Sequence, residues 1–340
     1  MPLTTAQSSK YQAILNPGSS AQAVRLTPDH VRALIYIAAR DTSVGGLPEP
    51  ASPVPDLFDD HFDLAFVFPG PDPRGLFELA LTLNEELETY VACLATIHKF
   101  RLKYRQVLST QPFATMDQVG PRALLQFRQL ENRSLAALLV WRKWLYDIDN
   151  RAAQDTGYLF EPVISAALGG ASFGARNSPV RRLNDPSKGR QIDCVIDDRA
   201  YEIKIRVTIA ASGQGRWHEE LTFPNEAKAA GFVPVLVVLD PTDNPKLAEL
   251  VRAYRAAGGE CYLGDAAWEH LRATASPEMG IFLERYIHAP LDAVVDALSD
   301  DELLPELHLT DLMDRVKFEV GDDSWEIPRN AQRGTEVDGE

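Results

Sequence analysis

The segment that most restricts the fold lies at 190–210. Two runs rich in β-branched residues, 190–196 and 200–210, flank the polar triplet Asp197-Asp198-Arg199. Alternation of apolar and polar residues marks strands with two unlike faces, and paired aspartates favour a turn. A two-residue loop at Asp198-Arg199 would set Asp193 opposite Lys204 and Val195 opposite Glu202. Opposed residues share a face, as do residues two apart on one strand. Asp193, Glu202 and Lys204 then gather on one side of the hairpin. Ile192, Cys194, Ile196, Tyr201, Ile203 and Ile205 fall on the other. A loop one residue longer would flip one strand and scatter the three charges.

The rest of the chain sets this hairpin in a mixed α/β fold. An unbroken apolar run at 233–239, ended by Asp240-Pro241, reads as a buried strand. Helical patterns at 224–230 and 245–257 and a short strand at 260–263 alternate with it, and further helices are expected over 265–298. Before the hairpin, 157–168 reads as a helix. Residues 169–183 are glycine-rich and then basic, reading as a strand and a loop. The first 150 residues are mostly helical in pattern. Thr27 and Pro28 supply a cap and a first helical residue, and long apolar stripes run over 76–108 and 121–149. A small hairpin is expected around Gly321-Asp322-Asp323. The expected organisation is a helical region at 1–150 for dimerisation or DNA contact, an α/β core at 151–290, and an acidic C-terminal segment at 291–340 with a partly disordered tail. The sheet would be central and mixed, with helices on its flanks.

Charge distribution matters because the net charge of -15 argues at first against a polyanionic partner. Residues 291–340 hold 15 acidic and 4 basic side chains, so most of the excess lies in that tail. Two stretches, 99–143 and 174–216, are basic instead. No apolar run approaches the roughly 20 residues of a membrane span, and 1–22 has no secretory signal pattern. Cys93, Cys194 and Cys261 are far apart. They suit a reducing cytoplasm and predict neither a disulfide framework nor a zinc site. The histidines form no metal-ligand spacing and read as structural.

Two carboxylates and an ammonium on one face suit phosphodiester hydrolysis. A hard cation held by carboxylates acidifies water and neutralises charge at a phosphate, and magnesium needs only one or two protein oxygens. A nearby lysine can orient the attacking water. The pattern Asp193 … Glu202-Ile203-Lys204 resembles the PD-(D/E)XK nuclease superfamily, with Ile192 where the signature has proline. That resemblance implies a restriction-endonuclease-like fold, Mg2+ as cofactor, Asp193 and Glu202 as metal ligands, and Lys204 as the residue that positions water. It also implies a supporting catalytic and metal-binding role for Glu161, on the helix before the hairpin. A second E-x-K, Glu226-Ala227-Lys228, lies in a helical context with no partner strand. The competing bland reading is a hairpin whose outer face is charged because it meets water.

The stretch Lys188-Gly189-Arg190-Gln191-Ile192-Asp193, followed by YEIKIRVTIAASGQGRW at 201–217, is similar to the ApaLI group of type II restriction enzymes. The resemblance implies a site-specific deoxyribonuclease of a restriction-modification system. Its substrate would be a short palindrome in double-stranded DNA, of the GTGCAC kind, cut by a homodimer. Gln214 and Arg216 suit adenine and guanine edges, with Trp217 beside them on a glycine-rich loop. Lys188, Arg190, Arg181 and Arg182 read as phosphate contacts, and Gln191 belongs to the same DNA-facing set. Alternatives are a repair or junction nuclease on the same fold, or an inactive nuclease-like DNA-binding protein.

Overall fold

A computed structural model describes residues 2–17, 22–205, 214–298 and 302–329. The helices are α1 Thr5–Leu15, α2 Pro28–Asp41, α3 Pro73–Leu83, α4 Leu87–Thr110, α5 Met116–Val119 and α6 Asn132–Ala167. There follow α7 Gln214–Ala229, α8 Pro245–Ala256, α9 Asp265–Thr274, α10 Pro277–Leu283 and α11 Ala289–Val295. The strands are β1 Ala171–Phe173, β2 Ile192–Ile196, β3 Arg199–Lys204, β4 Val233–Val238, β5 Glu260–Leu263, β6 Leu307–Asp311, β7 Arg315–Val320 and β8 Asp323–Pro328. No helix among the described residues is long and apolar enough to cross a membrane.

The contacts group the chain into two units. One comprises Met1–Asn16, Leu26–His98 and Gly157–Ala297; the other comprises Pro17–Arg25, Lys99–Thr156 and Leu298–Glu340. In the second unit, β6, β7 and β8 form an antiparallel meander, one strand more than the expected hairpin. It closes over Leu108, Trp144, Val316 and Ile327, with Phe113, Trp141 and Phe318 packed against them. The residues after Arg329, expected to be disordered, lie outside the described residues.

The first unit is built on a five-stranded mixed sheet in the order β1-β2-β3-β4-β5. The first two pairings are antiparallel and the last two parallel. Strand β4 is the continuous apolar run, and five of its six residues are buried. A strand between two parallel neighbours with helices on both faces needs apolar side chains on both sides. Beneath one face lie Phe223 and Ala227 of α7 and Leu247, Leu250 and Tyr254 of α8, packed on Ala200, Leu236 and Val238. On the other face the Tyr201 hydroxyl and the His270 Nε2 of α9 are 3.2 Å apart, and Cys194 bonds Ser165 of α6. Gly170 lets the chain pass close to β2: a Cβ there would stand 2.1 Å from Cys194 Sγ.

Local signals explain several element boundaries. Thr27 Oγ1 accepts the His30 N–H while His30 Nδ1 accepts the Thr27 N–H, a reciprocal cap before Pro28. Asn244 Oδ1 accepts the Leu247 N–H at 2.9 Å and opens α8. The expected helix over 76–108 is two helices, because Asn84 adopts an extended backbone (φ -156°, ψ 116°) that ends α3. The stripe expected at 121–149 begins instead with a 3-10 helix at Gly120–Leu125, and its part from Asn132 on joins the helix expected at 157–168 in the single 36-residue α6, which continues through Pro162. The loop expected at 212–218 is also corrected: α7 already begins at Gln214 and runs through Pro224.

The hairpin register differs from the expected one by two residues. Cys194 pairs with Tyr201, Val195 with Ala200 and Ile196 with Arg199, so the loop is Asp197-Asp198. Asp197 takes a left-handed conformation, φ +50°, which aspartate tolerates and two-residue hairpin loops require. The same register carried on places Asp193 beside Glu202 and moves Lys204 from Asp193 to Gln191, two positions away. A shift of two preserves facing, so Asp193, Glu202 and Lys204 still share a side.

Candidate active site

Strands β2 and β3 carry the acidic pair to one end of the sheet, and the face they occupy is covered. Ala200, Leu236 and Val238 on that face are buried against α7 and α8. The bland reading of a solvated outer face therefore fails: Glu202 and Lys204 pair in register with the buried Leu236 and Val238. Asp193 is 9% exposed. Its Oδ2 accepts the Ile203 N–H at 2.9 Å, which orients the carboxylate across the hairpin. The Lys204 ammonium lies 3.1 Å from Glu202 Oε1. It also lies 3.5 Å from Glu220 Oε2, a residue of α7.

The electrostatics identify a crowded acidic cluster. Burial, then Glu202, then Glu161 drive the Asp193 pKa well above the ordinary aspartate range, against the opposing pull of the Ile203 N–H and Lys204. Burial and the charge on Glu202 likewise raise Glu161, which Lys204 partly offsets. Glu161 lies on α6 immediately before Pro162 and interacts with the same centre. Burial works against the Lys204 charge, but Glu202 and Glu220 outweigh it and hold the ammonium above the usual lysine value. Opposite charges favour ionisation and like charges oppose it. One lysine among Asp193, Glu202, Glu161 and Glu220 leaves negative charge in excess. Perturbed groups of this kind gather at functional sites more often than elsewhere.

The chemistry of the donor set suits a hard cation. Asp193, Glu202 and Glu161 offer only carboxylate oxygens. Among the described residues no three His, Cys, Asp or Glu side chains form a ready-made metal cage. Magnesium does not require one, since it retains several waters.

The basic residues expected at DNA divide into two groups. Lys188, Arg181 and Gln191 are exposed, and Lys188 pairs with Asp185 at 2.9 Å. Arg190 is 9% exposed and tied down. It donates to the Glu219 backbone carbonyl and lies 3.6 Å from the nearly buried Glu226. Arg182 donates to Glu219 Oε1 at 2.5 Å. These two arginines fasten the 180–190 segment to α7. Glu226, half of the second E-x-K, serves this packing: its Oε1 accepts the Leu183 N–H at 3.2 Å. Trp217 donates from Nε1 to Glu249 at 3.1 Å and lies beneath Lys246, which anchors α7 to α8. Gln214 and Arg216 fall in the first turn of α7, and their side chains lie outside the described residues, as do residues 206–213.

The sequence reading missed Glu220. Its only signal was the Glu219-Glu220 pair on a helix whose start the sequence did not reveal.

A family model of ApaLI-like restriction endonucleases matches residues 76–288, a span that includes every residue of the acidic cluster. A protein of Acetobacter pasteurianus described as the type II restriction enzyme ApaLI is 47% identical over 254 residues. That alignment covers 72% of this chain and 68% of the relative. No solved structure matches the chain significantly. The site at the end of β3 thus sits within a sequence match spanning most of its unit, and the chain belongs to the ApaLI-like restriction endonuclease family.

Proposed function

We propose that the protein is a type II site-specific deoxyribonuclease that hydrolyses phosphodiester bonds of double-stranded DNA at a short palindrome. It uses Mg2+ and acts as a homodimer in the cytoplasm. The observation that carries this reading is the half-buried cluster of Asp193, Glu202, Glu161 and Lys204 at the end of an otherwise apolar sheet face. Protein interiors do not retain excess negative charge without cause. The relative from Acetobacter pasteurianus is described as a type II restriction enzyme, which supports duplex DNA as substrate. A two-fold palindrome is read most simply by a two-fold protein. The wide sequence separation of Cys93, Cys194 and Cys261 suits a reducing compartment.

Asp193 and Glu202 would hold the cation, with Glu161 completing the oxygen set from α6. Bound there, a hard divalent cation supplies an acidified water and neutralises charge at the scissile phosphate. The Ile203 N–H keeps the Asp193 carboxylate turned across the hairpin. Lys204 donates to the attacking water, aligns it and stabilises its deprotonated form, which its high proton affinity favours. Exposed Lys188 and Arg181 contact phosphates, and Gln191 lies on the same DNA-facing side. Gln214 and Arg216 read base edges from the start of α7. The nuclease chemistry lies within 151–290, residues 1–150 serve dimerisation or DNA contact, and 291–340 carries no catalytic group.

The test is supercoiled plasmid incubated with Mg2+ or with EDTA. Discrete fragments are expected only with Mg2+. Smearing, cutting confined to branched DNA, or no cutting would reject the reading.

A further inference from the structure

Lys204 has two carboxylate partners, and only one of them belongs to its own hairpin. Glu202 lies 3.1 Å from the ammonium and Glu220 of α7 lies 3.5 Å from it. The side chains of Lys204 and Glu220 are 17% and 25% exposed, so their attraction is only partly screened by solvent. Glu202 is also a proposed cation ligand. An oxygen that turns towards a cation pulls away from the ammonium, because one carboxylate cannot hold both charges in one place. Glu220 has no such competing duty in the proposed site and comes from a different element, α7. Its neighbour Glu219 holds Arg182 and Arg190. Successive helical residues point about 100° apart, so the acidic pair directs one carboxylate to the basic segment and the other to the reaction centre. Phe223, one turn on from Glu219 and Glu220, is fully buried and fixes the helix against the sheet.

We propose that Glu220 is a positioning residue for the reaction, holding the Lys204 ammonium in place when Glu202 engages the cation. It would thereby tie catalytic alignment to the seating of α7, the helix that opens with the base-reading candidates Gln214 and Arg216. The inference rests on the reading of Lys204 as the residue that orients water.

The test compares Glu220→Gln and Glu220→Asp with the unsubstituted protein in single-turnover cleavage at saturating duplex DNA and Mg2+. DNA affinity is measured in parallel with Ca2+ in place of Mg2+, together with melting temperature. Glutamine keeps the shape and loses the charge; aspartate keeps the charge on a shorter arm. Positioning through Lys204 predicts a fall of about ten- to a hundred-fold in the single-turnover rate for glutamine, the scale of modest misalignment. It predicts partial recovery for aspartate, with DNA affinity and melting temperature unchanged in both. A packing role would reverse the order, with glutamine tolerated and aspartate losing both stability and rate, and would overturn the proposal. So would an unchanged rate for glutamine. Lys204→Met separates the two levels of inference: cleavage retained in that variant refutes the active-site reading itself. Cleavage lost there but normal in Glu220→Gln refutes Glu220 alone.

Discussion

Replacing Asp193 by asparagine should stabilise the metal-free protein while abolishing cleavage. Asparagine keeps an oxygen that can accept the Ile203 N–H, so the hairpin bond survives. What disappears is a buried charge facing Glu202 and Glu161. Directly opposed residues of an antiparallel pair have Cβ atoms about 5 Å apart. Two like charges at about 5 Å repel by roughly 3 kcal/mol at an effective dielectric of 20. Lys204 draws both carboxylates and cancels much of this, leaving a net gain of about 1 kcal/mol for the variant. For a unit of this size that is a rise of about 2–4 °C in melting temperature. The pH dependence follows from the direction of the shift. The Asp193 pKa is raised on folding, so between its ordinary value near about 4 and its raised value the native chain binds more protons than the unfolded chain. Stability therefore falls as pH rises through that window, and the full cost is present above it. Urea titrations in EDTA should show the two proteins alike near pH 4 and diverging towards pH 8. Magnesium at ten times its dissociation constant should then return about 1.4 kcal/mol to the unsubstituted protein and less to the variant. A variant no more stable at pH 8, or a difference independent of pH, would refute the claim that the cluster holds excess negative charge.

Glu202→Ala should eliminate cleavage of plasmid DNA and leave gel-shift affinity in Ca2+ largely intact; cleavage that persists moves the active site elsewhere. Lys188→Ala should weaken binding to all duplexes similarly and reduce the slope of log affinity against log salt by about 1, with no change in melting temperature. An unchanged slope removes Lys188 from the phosphate contacts. Arg190→Ala should behave oppositely, because it strands the nearly buried Glu226: a loss of about 3–5 kcal/mol in chemical denaturation is expected. A fully stable Arg190→Ala protein with weakened DNA binding would restore arginine 190 to the DNA-facing set.

What the sequence disclosed and what it hid follow from the range of the forces involved. The cap at Thr27, the helix at 245–257 and the buried strand at 233–239 depend on residues close to one another in the chain, and each appears as the local pattern requires. Helix continuity was not legible in the same way. Pro162 and Pro224 are local signals against a helix, yet α6 and α7 run through them because their flanking residues are buried: Val163 and Ile164 in one, Phe223 and Ala227 in the other. Tertiary packing offset the local penalty. The same limit explains the arginines. Arg181, Arg182, Lys188 and Arg190 are alike as letters in a basic stretch. Only the fold sets Glu219 and Glu226 against two of them and leaves Lys188 and Arg181 outward.

The hairpin was the most legible element although its loop was misplaced, and the reason is parity. A strand has a side-chain period of two, so a loop moved from Asp198-Arg199 to Asp197-Asp198 shifts every pairing by two and leaves every facing unchanged. The apolar set Cys194, Tyr201 and Ile203 fixes that parity, since a one-residue slip would bring Glu202 into the buried face against α6 and α9; Ile192, expected with them, packs instead with Ala200 and Leu236 against α7 and α8, beyond a register irregularity between β1 and β2. The hydrophobic core thus determines which side the carboxylates occupy, and the turn residues decide only which carboxylate stands beside which. The difference is chemically significant. The expected pairing set Asp193 against Lys204, a neutralised pair with little demand for a cation. The register observed at Cys194 and Tyr201, carried one pair further, sets Asp193 beside Glu202 and places the lysine at the strand end, where it partly neutralises Glu202 and reaches Glu220. Under the proposed function, an acidic pair beneath a single ammonium is an arrangement that a bound cation would stabilise, whereas the ion-paired hairpin of the expected register would gain little from one.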